Sequence, residues 1–385
     1  MAENARRPWS GGSSHLIGIR PGDWLRLLAE NRFAVHPFYW PRALIVTLFS
    51  LTTPVDAWRE ERRYGAAIAG TRLVAPPIFI LGHWRSGTTL LHNLLAEDTE
   101  QFAFPNGFQV TNPHDFLTTE KRFTRLWGWA VPKTRPMDDM AAGLAAPQED
   151  EFALCLLTFR SYYLSFAFPE REAEYARYLT FQGVPQEEID RWKAALLGFL
   201  KKVTLLTGKR LVLKSPTHTG RIRFLLECLP DARFLHIHRD PYAVFQSSRH
   251  LFKTLPPYTT LQRPQEGSSL DDRILERYRA MYEAYFEQRS LIPPGRLHEL
   301  AFEDLERDPA GQLEILYEQL GLPGFEQFRP KLAQYLESIS GYRKNRLPQL
   351  TAREATRVEA VWGRNFEEWG YQKRLATNST NCTER

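Results

Sequence analysis

Cysteine is scarce in this chain: among 385 residues there are three, Cys155, Cys228 and Cys382. They are odd in number and far apart, which excludes a disulfide scaffold and a cysteine-held metal cluster and leads us to expect a reducing, cytoplasmic setting. Long apolar runs are also lacking. The strongest, Ala43 to Val55, is about half of the roughly 20 residues that a membrane-spanning helix requires. Charge of one sign is short too, with 50 basic against 45 acidic residues, a net +5, and no clustered basic block. That balance argues against nucleic acid as a partner and fits an anionic ligand or a weak attraction to a membrane surface. No internal repeat or low-complexity tract is present, and Met1 to Ser14 reads as a polar tail rather than a secretory signal. With 43% hydrophobic and 25% charged residues, the chain reads as an ordinary globular protein.

The most informative stretch runs from Pro76 to Glu97, PPIFILGHWRSGTTLLHNLLAE. Ile78 to Leu81 is short and bulky behind two prolines, which predicts a buried parallel strand. Gly82 and Gly87 bracket four residues, the spacing of a phosphate-binding loop, and a helical pattern resumes to about Ala96. Loop amides followed by the positive end of a helix make an anion site. Ser86, Thr88 and Thr89 add hydroxyls, and Arg85 adds a forked cation. A nucleoside-triphosphate loop would continue as Lys-Ser/Thr after its second glycine. Thr88 stands where that lysine would be, so the loop points to an anion other than the magnesium-bound triphosphate.

Ahead of the loop, Pro21 to Gly65 alternates aromatics and leucines with basic residues, among them Trp24, Phe33, Phe38 and Trp40. Two or three helices are predicted there, as a helical extension packed on the core or as an interfacial anchor. Gln101 to Thr134 is rich in aromatics, proline and glycine and reads as a substrate-shaping insertion. Pro147-Gln148-Glu149-Asp150-Glu151 opens a helix, where its carboxylates serve either the helix dipole or proton transfer. A helix over Pro185 to Thr207 ends at Gly208, and a strand over Leu211 to Leu213 leads into Lys214-Ser215-Pro216-Thr217-His218. A helix follows over Ile222 to Leu229, then a strand over Arg233 to His238 that ends in Arg239-Asp240-Pro241, then a helix bearing Ser247 and Ser248. This second strand, polar turn and helix puts a cation at a strand end, where ligands of open α/β sheets collect. Later come a helix over Asp272 to Gln288, a strand over Arg296 to Phe302, a helix over Leu332 to Ile339, a basic loop at Tyr342-Arg343-Lys344-Asn345, and a closing helix over Val358 to Tyr371.

Together these stations resemble the sulfotransferase superfamily that uses 3′-phosphoadenosine 5′-phosphosulfate (PAPS), in the bacterial-type branch whose loop reads GxxRSGTTLL. The resemblance covers about Ile78 to Leu320. It implies a P-loop-like α/β fold, a parallel sheet with helices on both faces, plus the N-terminal helical extension. Residues 1–70 would form the tail and extension, 71–376 the sulfotransferase domain and 377–385 a polar tail. Gly82, Arg85, Ser86, Gly87, Thr88 and Thr89 would hold the 5′-phosphosulfate, and Arg239 with Ser247 the 3′-phosphate. Tyr342, Arg343 and Lys344 would close over the 3′-phosphate and adenine. Lys214 resembles the family lysine on the transferring group or its leaving oxygen, and no metal is called for.

Sulfuryl transfer needs fixed donors and a base for the acceptor hydroxyl. Cytosolic members place a histidine two residues after the lysine, but here that position is Pro216 and the nearest histidine is His218. A carboxylate from Glu149 to Glu151 is the favoured base, His218 the next, and His83 a third candidate. The acceptor is expected to be a small, lipid-like or carbohydrate hydroxyl compound, with peripheral membrane contact through the N-terminal helices. Two rival readings remain open at this point: a nucleotide-dependent phosphotransferase on the same loop, and a non-catalytic peripheral membrane protein with this fold.

Overall fold

The computed structural model describes residues 15–127, 143–263, 269–341 and 347–374. Five strands, β1 (Ile78–Leu81), β2 (Phe102–Ala103), β3 (Arg210–Lys214), β4 (Arg233–His238) and β5 (Leu297–Ala301), form one sheet in the order β2-β3-β1-β4-β5. Every adjacent pair is parallel. Side chains alternate across the pleat, so Phe79, Leu81, Leu213 and Phe234 join one hydrophobic cluster while Ile78, Ile80, Val212 and Leu235 join another. Burial on both faces is why β1 reads as an unbroken apolar run rather than an alternating one.

From β1 the chain moves to β2 and β3 on one side and later takes up β4 and β5 on the other. The end of β1 therefore lies where the strand order reverses, with the ends of β3 and β4 beside it. Open parallel sheets collect their ligands there. The register pairs Ile80 with Lys214 and Leu81 with His236, which sets the residues after all three strands at one edge.

Three helices precede the sheet: α1 (Pro21–Glu30), α2 (Trp40–Ser50) and α3 (Thr53–Gly70). Trp24, Leu27 and Val46 lie in the same cluster as Phe79 and Leu81, so the extension packs on the main core. The predicted insertion is partly core as well, since Phe108, Val110 and Phe116 are fully buried. Three boundaries differ from the sequence reading. β2 has only two residues, too few to leave a pattern. The helix expected from Leu332 begins at Phe325 and carries Pro330 inside it. The closing helix starts at Ala352 behind a capping box, Thr351 with Glu354.

Candidate active site

The loop after β1 is built around two glycines in conformations that side chains avoid. Gly82 has φ +143°, and a Cβ there would lie 2.6 Å from both the Ile237 carbonyl oxygen and Ser86 Oγ. Gly87 has φ +104°, and its Cβ would lie 2.3 Å from the Phe302 ring. Between them Arg85 holds φ +73°, a left-handed value that a non-glycine keeps only when its surroundings enforce it. Those surroundings are visible: Arg239 Nη1 donates to the Arg85 carbonyl at 3.2 Å, and Arg85 Nε donates to Ser247 Oγ at 2.8 Å. Ser86 closes the turn by donating through both its amide and its hydroxyl to the His83 carbonyl, at 3.1 and 2.8 Å.

Helix α4 (Thr88–Ala96) follows directly, with Gly87 at its N-cap and no side-chain cap. Its first turn leaves the amides of Thr88, Thr89 and Leu90 without an intrahelical acceptor, which suits an anion. Because Gly87 is conformationally and sterically committed, Gly87→Ala is expected to lower stability by about 2–4 kcal/mol through positive φ and displacement of Phe302. A denaturation midpoint close to that of the parent chain would show that the loop tolerates a side chain.

Arg239 follows β4, and Asp240 caps the helix Pro241–Thr254 by accepting from the Ala243 amide at 3.0 Å. Ser247 lies two turns into that helix, buried, and faces Arg85. The Arg239 guanidinium stacks 4.3 Å above the Phe302 ring. Burial, with the nearby Arg85 charge, lowers Arg239 from its ordinary value, and Glu303 opposes them. Two neighbouring cations in a partly dehydrated site are what a doubly charged anion would relieve. A cleft of about 230 Å³ adjoins them, lined by Arg239, Tyr242, Gln246, Phe302, Glu303 and Arg374.

The three consecutive carboxylates separate into three environments. Glu149 is 2.6 Å from Lys214 Nζ through one oxygen and accepts from the Tyr163 hydroxyl through the other. Asp150 is buried and bonded to Ser215 Oγ at 2.8 Å and His218 Nε2 at 2.6 Å. Burial alone would raise the Asp150 carboxyl, but His218 and Ser215 hold it below the usual range. Glu151 is buried in a forked pair with Arg221, at 2.7 and 3.0 Å, and also accepts from Ser161 Oγ at 2.6 Å. Its amide donates to Ser215 Oγ at 3.0 Å.

Of the predicted base candidates, then, Glu149 stands beside Lys214, whereas Glu151 and His218 lie in closed buried pairs behind it. His83 is wholly buried, its Nδ1 is 2.9 Å from the Trp84 carbonyl, and burial pushes it down to about 3. Gly82, Arg85, Ser86, Gly87, Thr88 and Thr89 come together with Arg239 and Ser247 in one region. Tyr342, Arg343 and Lys344 lie outside the described residues. Sequence reasoning missed Tyr163, Arg221 and Phe302, which no motif spacing marks. Among the described residues no group of three or more His, Cys, Asp or Glu side chains gathers as a metal site would require.

Comparison with known proteins bears on this arrangement. A family model described as "Sulfotransferase family" matches residues 76–327. The chain is 41% identical over 357 residues to the omega-hydroxy-beta-dihydromenaquinone-9 sulfotransferase of Mycobacterium bovis (strain ATCC BAA-935 / AF2122/97), covering 93% of this chain and 91% of that protein. The protein of the same name from Mycobacterium tuberculosis (strain CDC 1551 / Oshkosh) matches with the same figures. Among solved structures, a sulfotransferase from Mycobacterium avium superposes with TM-score 0.68 at 19% identity, over 87% of this chain and 86% of that one. A second, from Mycobacterium tuberculosis H37Rv, gives TM-score 0.63 at 18% identity, over 92% and 93% of the two chains. At these identities the two solved structures establish the shared fold.

Proposed function

Since the chain belongs to the sulfotransferase family, we propose that it moves the sulfuryl group of PAPS to a hydroxyl on a lipid-soluble acceptor, a menaquinone-like compound with an omega-hydroxyl. The observation that carries the donor assignment is the meeting of both sequence motifs on Arg85, through Ser247 at 2.8 Å and Arg239 at 3.2 Å. The acceptor class is supported by the 41%-identical relatives and the substrate in their name.

PAPS supplies an activated sulfuryl group on a 5′-phosphate leaving group, with a 3′-phosphate as a handle. In this reading Arg85 and the amides at the start of α4 hold the 5′-phosphate. Arg239 and Ser247 hold the 3′-phosphate, completed by the basic run Tyr342 to Lys344. Charge grows on the leaving and equatorial oxygens as the group transfers, and preorganised donors stabilise it there without reorganising. Lys214, in register with Ile80 at the end of β1, serves the leaving oxygen. Glu149, on the same ammonium, takes the proton from the acceptor hydroxyl. Asp150 and Glu151 position Glu149 by tying its turn to Ser215, His218 and Arg221. The free thiols of Cys155 and Cys228 support a reducing, cytoplasmic setting.

A thermal-shift series tests the donor. 3′-Phosphoadenosine 5′-phosphate at 100 times its Kd should stabilise by roughly 2.7 kcal/mol, with AMP and ATP well below it at equal concentration. Arg239→Ala should abolish the preference for the 3′-phosphate. An unchanged preference in that variant would sink the site assignment, and magnesium-dependent stabilisation by ATP alone would favour a phosphotransferase.

A further inference from the structure

Besides the side chains that pack on the core, α2 and α3 carry an apolar row that faces outward. Trp40, Leu44, Leu48, Leu51, Val55 and Trp58 recur every three or four residues, and each is 50–62% exposed. The backbone stays right-handed helical through Leu51 and Thr52, so the row continues from α2 into α3. The opposite row, Val46, Ser50, Thr53, Ala57 and Glu60, has the same spacing and is buried. Glu60 there pairs with Lys202 and accepts from the Leu117 amide at 2.7 Å. Arg42 donates to the carbonyls of Thr260 and Pro257, and the His36 amide donates to the Leu261 carbonyl at 2.9 Å. The segment is therefore fastened by a buried row of mixed polarity while a wholly apolar row faces outward.

We infer that this outward row is a docking face for an anionic phospholipid bilayer, lying in the plane of the headgroups. Eighteen residues of helix extend about 27 Å, long enough to lie along a surface, and among the described residues no helix is long and apolar enough to cross one. Tryptophans mark both ends of the row, and these amphipathic rings favour the boundary between headgroup and acyl chain. Arg59, Arg62 and Arg63 are exposed on α3 against one exposed carboxylate, Glu61, with the Arg62 guanidinium 5.0 Å from the Trp58 ring centre, an excess that complements anionic headgroups. In the core, the rings of His15, Phe152, Phe166 and Tyr163 form an aromatic cluster, and the Tyr163 hydroxyl donates to Glu149. A lipid-soluble acceptor would give such a face a purpose, but the inference stands on the row itself.

Co-sedimentation of the full chain with vesicles of phosphatidylglycerol and phosphatidylcholine in equal parts tests it, with no substrate present. The parent chain should pellet with these vesicles and less with phosphatidylcholine alone. Leu44→Glu with Leu48→Glu should lower the partition coefficient at least a hundredfold, on the order expected for withdrawing two leucines from an apolar phase. Affinity for 3′-phosphoadenosine 5′-phosphate should be unchanged in that variant, which separates failure here from failure of the sulfotransferase reading. Leu51→Glu with Val55→Glu provides the same test should the first pair not fold. A parent chain that stays in the supernatant, or variants that bind as it does, would overturn the inference. So would a dimer that the substitutions dissolve without any vesicle binding, which would assign the row to a second copy of the chain.

Discussion

Glu149→Gln is expected to lower kcat by about 10²- to 10⁴-fold, the usual contribution of a positioned general base, while leaving the affinity for 3′-phosphoadenosine 5′-phosphate nearly unchanged. The substitution removes the proton acceptor but is nearly isosteric: its one remaining oxygen can accept from Lys214, and its new NH2 group can donate to the Tyr163 hydroxyl, the two partners that hold the side chain. The fold should survive, because the turn is anchored by the neighbours of Glu149 rather than by Glu149 itself. Asp150 is tied to Ser215 and His218, and Glu151 to Arg221 and Ser161. The informative measurement is kcat with saturating donor beside the Kd for 3′-phosphoadenosine 5′-phosphate: turnover should fall while that Kd holds. Parent-like turnover in Glu149→Gln would remove Glu149 from the mechanism and return attention to His218.

The second large effect concerns stability. Arg221→Ala should destabilise the protein by about 3–5 kcal/mol, the cost of leaving a buried charge without its partner. Both Arg221 and Glu151 are wholly buried, and the guanidinium forms two bonds to the carboxylate. It also donates to the Tyr178 carbonyl at 2.7 Å and lies over the rings of Phe181 and Trp192, at 4.6 and 5.3 Å. Such a loss is a large share of the roughly 5–15 kcal/mol that keeps a domain folded. Equilibrium denaturation reads it directly. Adding Glu151→Gln to Arg221→Ala should recover part of the loss, because the stranded charge is then gone. A drop below about 1 kcal/mol would mean that water reaches Glu151 and that the pair is not closed as described.

The two variants together explain what could be read from the sequence. The turn from β1 into α4 was legible because it needs glycines at positive φ, and Gly82 and Gly87 bracket it. The buried parallel sheet was legible because a strand covered on both faces is an unbroken apolar run, as β1 is. The work of the three carboxylates was not. Glu149, Asp150 and Glu151 are chemically alike and adjacent, and what separates them are partners 64 to 70 residues further on. No local pattern records which one meets a lysine, which a histidine and which an arginine. Phe302 was hidden for a different reason. It reads as the last residue of a strand, yet it opens the helix Phe302–Arg307, which turns its ring toward Gly87.

The placement of that ring has a consequence for selectivity. Phe302 lies in contact with Gly87 on one side and beneath the Arg239 guanidinium, 4.3 Å away, on the other. The ring thus touches both the turn that opens α4 and the arginine arm that follows β4, beside the direct bond from Arg239 to the Arg85 carbonyl. A ligand with two anionic groups at a matching separation engages both at once, so its second contact comes at little further entropic cost. A mononucleotide with a single phosphate can satisfy only one. With the proposed donor the aromatic ring would act as a spacer between two phosphate contacts, and discrimination between nucleotides would then depend on measured length as well as on charge.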